Sequence, residues 1–264
     1  MPRRTPPGRV RDIARAACEV FTEKGYRRTL MTDVAARLEL NHALLYRYVE
    51  SKEALLELAV RYAIDPGADL SVELGIDLTA GTPLATPPPG HTVELLSTGF
   101  NGRFPALRSA LAADRAADPA AGQGTDPKVG PGADAVAELA AIIDEFYGFV
   151  QDNQRLLALT ESLVVDYPEL NAEEARGRKR AHLGRLAAFL DSRIAAGGLR
   201  PVPDTGVAAV FIVESVAWFA WHRKGDPDGA AIDDDRARQA VRELLLAAFV
   251  PNTEFVPDAE GAGQ

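Results

Sequence analysis

From Arg9 to Lys24 the apolar positions Val10, Ile13, Ala14, Ala17, Val20 and Phe21 recur at spacings of three and four, which predicts a helix burying one stripe. Gly25 ends it. Thr29 offers an N-cap oxygen for a second helix of roughly two turns whose inner side is Val34, Ala35 and Leu38. Asn41 caps a third helix, expected to run to about Val49. Ser51 caps a fourth, with Glu53 and Glu57 early and Leu55, Leu56, Ala59 and Val60 turned inward.

Residues 64–92 are too rich in glycine and proline for one regular element and read as a linker or insertion. Helical patterning returns over Val93–Ala117, stops at the Gly/Pro-rich stretch 118–132, and resumes at Asp134. Further helices follow: Arg155–Val165, one starting near Pro168 and ending at Gly197–Gly198, Gly206–Arg223 and Asp233–Phe249. No segment reads as a strand with a partner. The expected organisation is a helical N-terminal domain over residues 8–63, the linker 64–92, a helical domain over 93–251 and a disordered tail over 252–264.

The third predicted helix has an unusual outer face. At about 100° per residue, Leu45 and Val49 fall together, flanked by Leu44 and Tyr48, while His42, Ala43, Tyr46 and Arg47 fall opposite. Bulky hydrogen-bond donors there suit insertion into a DNA major groove, which is about 12 Å wide and admits one helix. Arginine can donate two bonds to guanine, and tyrosine hydroxyls or Lys52 can hold phosphates. A solvated face would explain two tyrosines and a histidine poorly.

Charge distribution is compatible with this. The 264-residue chain, 47% apolar, has a net charge of −9, yet residues 1–63 hold 12 Lys/Arg against 8 Asp/Glu, and the remainder 17 against 30. A basic end on an acidic body favours an oriented approach to phosphate over general adhesion.

The run Gly25–Leu56, with the amphipathic helix before it, resembles the DNA-binding domain of the TetR (tetracycline repressor) family. Phe21, Gly25, Tyr26, Val34, Ala35, Leu45, Tyr46, Tyr48, Ser51, Lys52 and Leu55 stand at that family's spacing. The resemblance implies a recognition helix over Asn41–Tyr48, phosphate contacts by Tyr46 and Lys52, and a DNA-facing set of Thr29, Thr32, Asn41, His42, Ala43, Leu44, Tyr46, Arg47, Tyr48 and Lys52. Glu39 stands where the family's interhelical turn usually has glycine, Leu44 replaces a usual Thr or Ser, and Leu30 stands where a capping Thr or Ser is common.

The resemblance further implies an all-α protein: a helix-turn-helix domain followed by a larger helical domain that dimerises through its last two long helices and encloses a small-molecule pocket. Independently, the apolar residues of Gly206–Arg223 cover almost the whole helix circumference, more than one intramolecular face needs. Phe211, Glu214, Trp218, Trp221, Leu245 and Phe249 are the expected dimer contacts. Phe100, Phe104, Phe146, Tyr147, Phe149, Leu159 and Leu163 are candidates to line the pocket, and their apolar character suggests an apolar effector.

Other chemistry finds little support in the sequence. The four histidines, His42, His91, His182 and His222, are scattered without a metal or catalytic spacing, and no phosphate-binding glycine loop follows a strand. Asp233–Asp235 read as carboxylates favoured at a helix N-terminus rather than as a metal site. Neither metal nor cofactor is expected. The single cysteine, Cys18, reads as a small core residue. Without a run of about 18 apolar residues or a secretory start, the chain is expected to be cytoplasmic, with no membrane partner. The resulting expectation is a ligand-responsive regulator, a repressor, that binds an inverted-repeat operator on double-stranded DNA as a homodimer and is released by a small-molecule effector. The rival is an effector-free helical adaptor, or an enzyme using the helix-turn-helix as a docking module.

Overall fold

The computed structural model describes residues 8–76, 82–100, 104–117, 134–167, 169–170 and 172–251. The stretch 118–132 and the tail 252–264 lie outside the described residues. Among the described residues the elements are helices, joined by turns and one isolated parallel bridge between Val49 and Leu84. The chain divides into two compact units: Met1–Arg103 with Asp152–Arg178, and Phe104–Gln151 with Lys179–Gln264.

The first unit is built on α1 (Arg9–Arg28), whose stripe Val10, Ile13, Ala14, Ala17, Val20 and Phe21 is buried, Cys18 with it. Burial pushes the Cys18 thiol up to about 11, so it stays protonated in the core. The backbone leaves the helix at Gly25 (φ 78°, ψ 171°), a conformation open to glycine, and one more turn follows. The short helices α2 (Met31–Arg37) and α3 (His42–Leu45) come next, then α4 (Lys52–Ile64), with Ser51 Oγ accepting the Ala54 N–H at 3.1 Å as its cap.

Two details of α2 differ from expectation. Its N-cap is Leu30, whose own N–H donates to the Asp33 carboxylate at 2.8 Å. Thr29 is fully buried and its hydroxyl donates to the Gly25 carbonyl at 2.7 Å, so it closes the end of α1 rather than opening α2. At the far end Glu39 takes the left-handed conformation (φ 55°). Its N–H reaches Ala36 O at 3.1 Å and the Leu40 N–H reaches Ala35 O at 2.8 Å. That double closure is a Schellman motif with glutamate where glycine is usual.

The stretch expected as linker takes part in this unit. After α4, Leu70 in α5 (Leu70–Glu73) and Ile76 are buried, Leu84 packs on the same core, and α6 (His91–Phe100) buries Val93 and Leu96. The helix α9 (Gln154–Asp166) completes the core with Leu156, Leu159 and Leu163, all fully buried. A domain ending at residue 63 would leave α1 and α4 without that cover.

In the second unit, α7 (Pro105–Ala117), α8 (Ala135–Asp152), α10 (Ala172–Ala195) from Lys179 onward, α11 (Thr205–Ala220), α12 (Pro227–Ala230) and α13 (Asp234–Ala247) supply a separate core that includes Leu107, Leu139, Ile143, Phe189, Val216 and Val241. Two arginines are fully inside it. Arg193 is matched by Glu138 and Asp114, and Arg223 by Asp234 and the carbonyls of Phe219, Gly229 and Ile232. Multiple partners are what make a buried guanidinium tolerable. Asp233 accepts the N–H groups of Asp235 and Arg236 as the α13 cap.

Candidate nucleic-acid interface

The Asn41 side chain accepts the Ala43 N–H at 3.0 Å and so opens α3 as the sequence indicates. Leu45, Tyr48 and Val49 face the core, Leu45 and Val49 with no exposure at all. Asn41, His42, Ala43, Tyr46 and Arg47 are exposed, Tyr46 by 48%. The α-helix ends at Leu45 instead of near Val49. Arg47 and Tyr48 bond three residues back, to Leu44 and Leu45, and the next groups, Tyr48 O and Glu50 N, turn to Leu84. The exposed face nevertheless survives, because Tyr46 and Arg47 continue the curl of the first turn.

Three of the DNA-facing expectations change. Thr29 has no exposed side-chain atom to offer. The Tyr48 ring is buried in the first core, and Leu44 is half-buried against it. Thr32, at the start of α2, is exposed as expected. Leu30, beside it, is 60% exposed, an apolar group beside polar ones.

Lys52 is half-buried at the first turn of α4. Its Nζ lies 4.4 Å from the Tyr26 ring centroid and donates to the Arg27 carbonyl at 3.4 Å. Loss of water around the ammonium lowers its pKa, with Glu53, Asp166 and Asp33 opposing that. The Tyr26 hydroxyl donates to Glu53 at 2.6 Å, which holds the Glu53 carboxylate below its usual range. Burial and then Glu53 raise the Tyr26 phenol. Tyr26, Lys52 and Glu53 are therefore a preassembled group with one cation at its edge.

In the second unit, a small pocket of about 10 Å³, room for about one water, is lined by Phe104, Leu107, Ile142, Glu145, Phe146, His182, Leu186, Ile212 and Val213. Phe104 and Phe146 were expected there. Phe149 touches Phe104 edge-on at 5.0 Å behind it. Tyr147 is buried with its hydroxyl donating to Phe219 O at 3.3 Å. Phe100, Leu159 and Leu163 belong to the first unit; the two leucines are core, because α9 packs on α1. Leu107, Ile142, Glu145, His182, Leu186, Ile212 and Val213 were missed; of these, Ile142 and Glu145 on α8 and His182 and Leu186 on α10 share helical faces at i+3 and i+4. That spacing was available as a signal, but which helices face one another was not. The His182 ring lies 4.6 Å from Phe104, and burial, then Arg185, lowers its pKa, keeping it neutral. Glu145 accepts the Ala106 N–H at 3.0 Å, at the start of α7.

On α11, Val207, Val210, Phe211, Glu214 and Trp218 form an exposed stripe, Phe211 at 60% and Trp218 at 40%, and Leu244 of α13 is 70% exposed. Trp221 is half-buried and stacks on His222 at 4.3 Å. Leu245 and Phe249, also expected at an interface, are almost fully buried within their own unit, since they lie on the inner side of the α13 segment. Glu214 holds Lys179.

Residues 13–59 match the family described as bacterial regulatory proteins, tetR family. No curated protein matches the sequence. Among solved structures, the chain is similar to a ketosteroid transcriptional regulator, KstR2 of Mycobacterium tuberculosis. Identity is 13%, the TM-score is 0.50, and 94% of this chain and 98% of that one are covered. It is also similar to the TetR family regulator PfmR of Thermus thermophilus, at 21% identity and a TM-score of 0.48 over 89% and 97%. A third is AibR in complex with isovaleryl coenzyme A and operator DNA, at 19% identity and a TM-score of 0.48 over 90% and 98%. At these identities the likeness is one of fold. Among the described residues no helix is long and apolar enough to cross a membrane.

Proposed function

The chain's N-terminal domain belongs to the tetR family of bacterial regulatory proteins, and on that premise we propose that the protein is a transcriptional repressor which binds an inverted-repeat operator as a homodimer and leaves it when a small apolar effector enters the second unit. The observation that carries this reading is the division of α3 and its following turn. His42, Tyr46 and Arg47 are exposed together, while Leu45 and Val49 anchor the opposite side with no exposure. Arg47 and His42 read base edges, and Tyr46 and Lys52 hold phosphates.

The apolar stripe of α11, with Leu244, supports a partner of the same kind. Exposed valine, phenylalanine and tryptophan on one helix face are best covered by a second copy related by a two-fold axis. The Phe104–His182 pocket supports an apolar effector, because the polar side chains that line it are a neutral imidazole and a carboxylate already bound to a helix end. Effector bound more tightly by one subunit arrangement favours it. If that arrangement moves the two recognition segments off a separation of about 34–36 Å, they no longer enter successive major grooves.

Sequencing DNA fragments retained by the purified protein tests the reading. The parent protein selects an inverted repeat. Arg47→Ala and His42→Ala relax base preference at particular positions, by about 1–3 kcal/mol for each bidentate pair of bonds removed. Lys52→Ala weakens all sequences alike and lowers the slope of log K against log salt by about one unit per half-site. Retention without sequence preference would refute the proposal.

A further inference from the structure

A four-residue helix cannot hold itself in place, since nucleation of so short a helix is unfavourable in isolation. What positions α3 is therefore tertiary. The Asn41 cap and the turn at Glu39 secure its start, and Leu45 secures its middle. The far end, where Tyr46 and Arg47 are presented, is secured from elsewhere in the chain. Leu84 N–H donates to Tyr48 O at 2.8 Å, Glu50 N–H donates to Leu84 O at 2.9 Å, and Thr86 N–H donates to the Glu50 carboxylate at 3.3 Å. Val49 and Leu84 thus form a parallel bridge immediately after the groove-facing residues.

We propose that residues 82–86 are a strap that sets the far end of the recognition segment, and that the peptide groups of Leu84 are positioning groups for operator recognition. This rests on the regulator reading above. The strap suits the task. Its leucine side chain packs on the first core, and Pro83 within it and Pro87–Pro89 after it restrict the backbone before it binds, so reducing the entropy lost on ordering. Its C-terminal end is anchored too: Gly90 N–H donates to Glu169 at 3.0 Å, and His91, the first residue of α6, lies 3.3 Å from Glu57 of α4. Glu50, a carboxylate next to the groove-facing side chains, is occupied by Thr86 N–H instead of standing unpaired beside phosphate.

The test separates hydrogen bonding from packing. Leu84→Pro removes the N–H that Tyr48 O accepts while keeping an extended, proline-compatible stretch; Leu84→Ala removes side-chain packing but keeps both peptide groups. Operator affinity should fall about tenfold in Leu84→Pro, with affinity for random-sequence DNA within about twofold of the parent, because non-specific binding is phosphate electrostatics. Leu84→Ala should keep the parental ratio of operator to random-sequence affinity. In the full-length parent, amide hydrogen exchange should show Leu84 and Glu50 protected together, and more so on the operator.

A folded Leu84→Pro protein with the parental ratio, or a Leu84→Ala protein that loses as much, overturns the proposal. So does free exchange at Leu84 and Glu50, a result that decides the matter even if Leu84→Pro fails to fold. A parent that selects no operator refutes the regulator reading itself, and is thereby distinguished from failure of the strap alone.

Discussion

Asp166, the last residue of α9, lies against Gly25: a Cβ on that glycine would stand 2.8 Å from Asp166 Oδ2. The same carboxylate accepts the Tyr26 N–H at 2.8 Å and the Arg27 N–H at 2.9 Å, and Arg27 Nε donates to the Asp166 carbonyl at 3.1 Å. Because the Arg27 carbonyl in turn accepts from Lys52, the end of α9 and that lysine hold one residue between them. Gly25→Ala should destabilise the first unit by about 1–3 kcal/mol, from the left-handed backbone and the displaced carboxylate together. Asp166→Ala should cost about as much by leaving two N–H groups unpaired. Urea denaturation of both variants checks this, and a Gly25→Ala protein as stable as the parent would contradict it.

Glu39 makes the opposite prediction. A side chain at φ 55° carries a steric cost that glycine lacks, and the Schellman closure uses only its backbone. Glu39→Gly should stabilise the protein by roughly 0.5–1 kcal/mol after glycine's greater unfolded-state freedom is allowed for. A raised denaturation midpoint with an unchanged slope is the expected result; a lowered midpoint would show that the glutamate side chain contributes something the turn needs.

The proposed dimer face can be separated from the subunit core by two kinds of substitution. Phe211→Glu and Trp218→Glu alter side chains that one subunit leaves 60% and 40% exposed, so the subunit should fold and remain monomeric. Operator affinity should drop with the loss of the second half-site. Val216→Glu places a charge at a fully buried position of the same helix and should unfold the second unit, since a desolvated unpaired charge costs several kcal/mol. Light scattering and circular dichroism on the three variants decide it. A Phe211→Glu protein that stays dimeric with full affinity would remove α11 from the interface.

His182 gives the second unit an acid sensitivity. Its folded pKa lies below the ordinary 6.5, through burial first and Arg185 second, so the unfolded chain binds a proton more readily than the folded one. The stability this contributes is complete above the ordinary value and is lost as pH falls through the lower folded value. As pH falls below the ordinary value, His182→Leu should therefore show a shallower fall in melting temperature than the parent. Parallel profiles would show that His182 does not carry this loss.

Much of the first unit was legible along the chain because the signals are local. Periodicity marked the inward stripe of α1, Asn41 and Ser51 opened the helices they were expected to open, and one turn of spacing separated His42, Tyr46 and Arg47 from Leu45 and Val49. These follow from chemistry within a few residues, and a sequence determines that directly. What it could not determine was which apolar surface meets which. Thr29, Tyr48, Leu245 and Phe249 turned inward, and Leu159 and Leu163 joined the α1 core instead of a pocket, because a stripe specifies that a face is covered and leaves the cover unnamed. The end of α3 belongs to the same class. Residues Leu44–Val49 have a helical pattern, yet Tyr48 and Glu50 pair with Leu84, and backbone hydrogen bonding to a distant segment leaves no mark on local periodicity.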